Sequence, residues 1–354
     1  MADLINIPHD ILFNIFSRIP IKSLVQLRCV SKSWLHFITD SFVFNRHLSY
    51  SKNLKIILKD FQHFYSLDCE SFDKVIEVDT GMSKSDNDKH NVVVWGSGVG
   101  GIIVSFLGRF RKKIFLWNPC NGEHIEIHNL NMRSISYMFS AYFDPADKNY
   151  WLLAVYHDNN VVDLSSSVFV YSVASNTWRE IKSIPYSLPK RHGVLVNGSL
   201  HWVAAHRSRI STMYDLVIAF QIGCEEFREV PLPNCQNPNC FIDVTELGGE
   251  LCLVCNYGIC VEAWLMKDYG VKESWTKLFN IKHPTGLHFR SLIPLCFTKD
   301  GVLLLQMDNT SLVLYHPMII EDLFCLNIEG IPKCFEPITY YESTRGSFKS
   351  NPKE

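Results

Sequence analysis

The chain has 354 residues, of which 47 % are apolar and 13 % aromatic, enough to bury a large core beside a small module. Its formal charge is −2, so there is no basic excess to support binding of nucleic acid or an anionic membrane. No apolar run reaches the length of a membrane span, and the N-terminus lacks a basic segment followed by an apolar core. The expected compartment is therefore the cytoplasm, the nucleus or both.

The first helical pattern opens at Pro8, after Ile7. Ile11, Leu12, Ile15, Phe16 and Ile19 fall on one face of a helix, and Pro20 stops it because proline lacks an N–H and crowds the preceding turn. Ser23 can cap a second short helix carrying Leu24, Leu27 and Val30. Ser31 can cap a third, with Trp34, Leu35 and Ile38 on its apolar side. Three helices this short cannot bury all of that surface among themselves. The remainder reads as a docking face; the plainer alternative is that Ile11, Leu12, Ile15 and Ile19 pack only on Leu24, Leu27 and Trp34.

From Leu54 the texture changes to strands, first over 54–58 and 64–67, followed by a polar loop over 83–90. A unit then recurs at intervals of about fifty residues, anchored at Gly101, Asn149, Gly198, Gly249 and Gly301. Each turn leads into an apolar strand, then into a second strand such as 114–117, 168–171, 216–220, 261–264 or 312–315. Aromatics follow at Trp178, Phe227 and Trp275. Strand-only repeats of this period are the signature of kelch-like propeller blades, with a less regular β-sandwich or open β structure as the alternative. Five copies plus the strands at 54–67 predict about six blades, closed by a strand near 335–341. The double-glycine kelch mark is incomplete, standing only at Gly100-Gly101 and Gly248-Gly249.

Residues 96–101 satisfy G-x-G-x-x-G, but a β-branched run follows where a dinucleotide site needs a helix, so a turn between strands is expected. Among twelve cysteines the tightest set is Cys252, Cys255 and Cys260. Cys252 and Cys255 lie three apart in a strand and should face opposite ways, which suits buried thiols better than zinc. His201 beside Trp202 reads as a half-buried core or pore residue, and Glu225-Glu226 as a solvated turn. Basic residues at 109–113, 190–192 and 206–209 read as exposed loops. No pattern predicts a catalytic, cofactor or metal site.

The leading segment resembles the F-box. The resemblance rests on Ile7-Pro8, Asp10-Ile11-Leu12, Ile15, Arg18-Ile19-Pro20, Lys22-Ser23-Leu24 and the run Arg28-Cys29-Val30-Ser31-Lys32-Ser33-Trp34, which looks like the plant branch of the family. Ile7 stands where leucine is usual. The region beyond resembles the plant F-box-associated domain, through Trp117-Asn118-Pro119, the run Asn197-Gly198-Ser199-Leu200-His201-Trp202 and the spacing.

The resemblance implies a three-helix F-box over residues 1–48, a kelch-like propeller over 49–345 and a polar tail over 346–354. It implies a non-catalytic substrate-recognition subunit of a Skp–cullin–F-box ubiquitin ligase. The Skp-type adaptor, and through it the cullin scaffold, would be held by Ile7, Pro8, Ile11, Leu12, Ile15, Ile19, Pro20, Leu24, Leu27, Val30 and Trp34. A target protein would be held by the β domain. A free-standing propeller lectin or enzyme with a vestigial F-box is the competing expectation.

Overall fold

A computed structural model of the chain describes residues 54–67, 71–81, 91–98, 101–107, 112–119, 122–128, 137–144, 147, 149–156, 165–189, 193–207, 214–234, 240–282, 289–298, 301–316 and 323–341. These residues form six antiparallel sheets, arranged as the blades of a six-bladed β-propeller.

Blade 1 contains β1 (Leu54–Lys59), β2 (Phe64–Leu67) and β3 (Val75–Val78). Blade 2 contains β4 (Asn91–Gly98), β5 (Gly101–Leu107), β6 (Lys112–Trp117) and β7 (His124–Ile127). Blade 3 contains β8 (Tyr137–Asp144), β9 (Asn149–Tyr156), β10 (Ser167–Ser172) and β11 (Thr177–Glu180). Blade 4 contains β12 (Tyr186–Ser187), β13 (Val194–Val196), β14 (Ser199–His206), β15 (Leu216–Gln221) and β16 (Glu226–Val230). Blade 5 contains β17 (Phe241–Leu247), β18 (Glu250–Asn256), β19 (Cys260–Met266) and β20 (Trp275–Lys282). Blade 6 contains β21 (Leu292–Phe297), β22 (Leu303–Met307), β23 (Ser311–Tyr315) and β24 (Phe324–Cys325). The last strand, β25 (Glu336–Tyr341), returns to pair with β1 and supplies the inner strand that blade 1 lacks. The closing strand expected near 335–341 is this one.

The fifty-residue anchors fall where each inner strand turns into the second strand of its blade. Asn197 and Gly198 take φ of 48° and 69° between β13 and β14. Two successive residues in the left-handed region make the tight hairpin whose twist matches its strands, and asparagine followed by glycine adopts it with least strain. Gly248 and Gly249, at φ of 64° and 85°, make the equivalent turn in blade 5. Residues 96–101 likewise end β4 and begin β5, with Gly98 paired to Gly101, so the glycine pattern serves a strand-to-strand turn.

The core lies between blades. Trp117, Phe64 and Ile338 pack where blades 1 and 2 meet, and Leu153, Trp202 and Phe220 where blades 3 and 4 meet. Second strands are flanked by a sheet on either side and are apolar without alternation. The segments Leu152–Val155, Leu251–Cys255 and Leu303–Met307 are buried throughout. Outer strands face water as the blades splay, and β11 and β16 carry charge accordingly. Cys252 joins the core shared with blade 6 and Cys255 the core shared with blade 4, the opposite facing that strand geometry demands. Burial pushes the Cys252 thiol pKa well up.

Candidate functional site

Strand order gives the propeller two distinct ends. At the upper end every inner strand begins, and the turn joining the second and third strands of each blade lies there too. At the lower end the chain enters β1 and leaves β25. The upper end opens into a cavity of about 490 Å³ between the inner strands of blades 5, 6 and 1.

On β17, residues 241, 243 and 245 share one face and residues 242 and 244 the other. Ile242 and Val244 pack against the core shared with blade 4, while Asp243 and Thr245 on the other face line the cavity, with Val244 also at its wall. Thr245 Oγ1 donates to the Pro294 carbonyl at 3.3 Å and so ties β17 to β21. On β21 the same alternation sends Leu292 into the core and Ile293 to the cavity.

The start of β21 is fixed by one carboxylate. Asp308 Oδ1 accepts the backbone N–H of Arg290 at 2.7 Å and of Ser291 at 2.9 Å. The Asn309 carbonyl accepts the Phe335 N–H at 2.8 Å, which holds the approach to β25 against blade 6. Glu336, the first residue of β25, stands exposed at the lip.

Blade 1 contributes the turn after β1. Asp60 Oδ1 accepts N–H bonds from Gln62 at 2.8 Å and His63 at 2.7 Å, and its Oδ2 accepts the Tyr65 hydroxyl at 3.3 Å. Burial acts to raise the Asp60 pKa, but these N–H bonds and the nearby His63 outweigh it and hold the carboxyl below its ordinary value. The bonded turn presents Phe61 to solvent, 76 % exposed. Phe241 is 74 % exposed at the first residue of β17, and Ile259 is also exposed on the neighbouring turn of blade 5.

None of these cavity residues stands out in the sequence. The alternation in β17 is legible, but it does not say which face meets the channel until the ring is closed.

Other sequence expectations resolve differently. His201 is fully buried between blades 4 and 5 and lies away from the channel. It sits on a second strand, whose faces look toward neighbouring blades, so the core reading holds, while its burial is complete and the pore alternative is corrected. Glu225 is more than a solvated turn residue, because its carboxylate pairs with Arg179 of blade 3. Lys113 pairs with Glu126 at 3.2 Å, and His206 lies 3.3 Å from Glu229. Residues 108–111, 190–192 and 208–213 of the basic loops lie outside the described residues. So do all the residues expected to hold the adaptor: Ile7, Pro8, Ile11, Leu12, Ile15, Ile19, Pro20, Leu24, Leu27, Val30 and Trp34.

Comparison with known families joins the two halves of the chain. The F-box domain model matches residues 4–46, and the model of the F-box associated beta propeller domain matches residues 54–348. The chain belongs to the plant F-box proteins with a propeller domain. It is similar to F-box protein CPR1 of Arabidopsis thaliana, 30 % identical over 345 residues that cover 87 % of this chain and 81 % of that protein. An F-box/kelch-repeat protein of the same plant is 25 % identical, covering 88 % of each chain. A third Arabidopsis F-box protein is 27 % identical, covering 95 % of this chain and 90 % of that one. An F-box joined to a propeller supports, in general, the role of substrate receptor in a Skp–cullin–F-box ligase.

Proposed function

We propose that this F-box protein is the substrate-recognition subunit of a Skp–cullin–F-box E3 ubiquitin ligase, working in the cytoplasm, the nucleus or both. The F-box lays the apolar face of Ile11, Leu12, Ile15 and Ile19, with Leu24, Leu27 and Trp34, into a groove of the Skp-type adaptor. The propeller holds a target protein at its upper end. The chain performs no chemistry itself: it raises the effective concentration of target lysines near the ubiquitin-charged conjugating enzyme. The observation that carries this reading is the pairing, in one chain, of an F-box match over 4–46 with a ring-closed propeller over the region that follows.

Each leucine or isoleucine buried in such a groove stabilises the complex by roughly 1.5–3 kcal/mol. Two buried carboxylates in their place would prevent docking. The test is co-purification of the full chain with a Skp-type adaptor. Ile11→Asp combined with Leu12→Asp should abolish capture and leave the propeller's thermal transition in place. Undiminished capture would overturn the reading.

A further inference from the structure

One amide in the wall of the upper cavity is buried yet only half used. Gln306 of β22 is 7 % exposed. Leu303, Leu305 and Met307 of that strand join the core shared with blade 5, so alternation turns Gln306 the other way, toward β25, where it lines the cavity. Its Nε2 donates to Asn309 Oδ1 at 3.3 Å. Its Oε1 accepts no hydrogen bond among the described residues, and this oxygen opens onto the cavity instead of being sealed in the core. Asn309 stands on the exposed turn that follows β22, and its Nδ2 likewise has no partner among the described residues.

The two amides therefore show the cavity one free acceptor and one free donor. Rotating both by half a turn exchanges their roles and leaves the same arrangement. A buried polar group bonded on one side only is uncommon in a folded protein, and its explanation lies in what it meets. Ile293, Leu295 and Phe335 border the same space, whose volume of about 490 Å³ admits a side chain from the mouth. A carboxamide carries an acceptor and a donor on one planar group, so it can satisfy both free atoms at once. A carboxylate offers acceptors only: it would set oxygen against the Gln306 oxygen and would approach Glu336 at the lip. An aliphatic or thioether chain would shut both atoms away from water without a bond.

We propose that the cavity seats a carboxamide side chain of the target polypeptide, glutamine or asparagine, paired to Gln306 and Asn309. The inference rests on the receptor role above and specifies the chemistry the receptor reads.

The probes are four fluorescein-labelled peptides that differ only at a central residue: glutamine, asparagine, glutamate or methionine. Binding to the full chain, co-purified with its adaptor, is read by fluorescence anisotropy. The tighter of the two carboxamide peptides should bind at least about tenfold more tightly than the glutamate or methionine peptide. Gln306→Met, close in shape but apolar, should erase that preference. Asn309 is exposed, so Asn309→Ala serves if Gln306→Met fails to fold, and it should narrow the preference.

Equal affinity for the four peptides would mean that water alone fills the site and would overturn the proposal. So would an unchanged preference in whichever of the two variants melts as the parent does. Adaptor retention is read on the same preparations: its loss with the peptide preference intact removes the receptor role, and the reverse removes this inference alone.

Discussion

The imidazole Nε2 of His201 and the hydroxyl of Tyr269 meet at 2.8 Å across the boundary between blades 4 and 5. The other ring nitrogen, Nδ1, lies 3.1 Å from the Val194 carbonyl, so it carries the proton and Nε2 accepts from the tyrosine. Arg228 sits over the Tyr269 ring, 5.3 Å from its centroid. The ring is thus held neutral, with both nitrogens used. Burial, reinforced by the Arg228 charge and opposed by the Val194 carbonyl, lowers its pKa to about 4.

The pH dependence follows in sign. The unfolded histidine takes up a proton near its ordinary value of 6.5, and the folded one only near 4. The stability linked to this neutral ring is therefore fully present above pH 6.5 and is lost progressively as pH falls toward 4. The full loss is on the order of 3 kcal/mol. Urea midpoints at pH 7 and pH 5 should move further apart in the parent than in His201→Gln. Equal spacing in the two proteins would contradict the assignment.

Gly193 and Trp202 form a second tight pair. A Cβ on Gly193 would fall 2.5 Å from the Trp202 indole, whose own placement between blades 3 and 4 is fully buried. The ring is rigid and surrounded, so Gly193→Ala should destabilise by about 1–3 kcal/mol. The indole Nε1 of Trp202 has no hydrogen-bond partner, so Trp202→Phe forfeits no bond while making room. The cost of Gly193→Ala should shrink in the Trp202→Phe background, as read in a double-mutant cycle of thermal or urea unfolding. Additive losses would show that the clash is relieved elsewhere.

Two ion pairs should differ sharply in worth. Glu262 is 5 % exposed, and its Oε1 receives Lys277 Nζ at 2.6 Å and Asn280 Nδ2 at 3.0 Å. Lys277→Met keeps the apolar stem near Trp264 and strands the buried carboxylate, so it should cost about 3 kcal/mol. Arg179 and Glu225 bridge blades 3 and 4 in the open, with 47 % and 30 % of their side chains exposed. Arg179→Met should cost less than about 1 kcal/mol, because water and salt screen that pair. Comparable shifts in denaturant midpoint for the two variants would refute the ranking.

The blades were legible because their hairpin turns demand particular residues. Asn197-Gly198 and Gly248-Gly249 mark such turns outright, and the second strands that follow are apolar on both faces. Inner strands were harder to see. β21 contains Pro294, which argues against a central strand and is accommodated where the β21–β22 register shifts, between Pro294 and Cys296. In β17, Asp243 and Thr245 dilute the apolar signal because they face the channel. The candidate site was hidden for the same reason. Phe61, Asp243 and Glu336 are brought together by ring closure, which no local pattern encodes. A histidine beside a buried tryptophan reads alike whether it faces a pore or a neighbouring sheet, so the sequence leaves core and pore both open for His201 and the blade packing decides for core.

Because β25 completes blade 1, the ring has no sealed form until its final strand has left the ribosome. Ile338 and Tyr340, buried against blade 2, are among the last propeller core side chains to arrive, well after the segment that matches the F-box. A nascent chain therefore carries its F-box segment long before its propeller can close. Any premature stop upstream of Glu336 leaves an open arc whose two raw edges invite pairing with other chains.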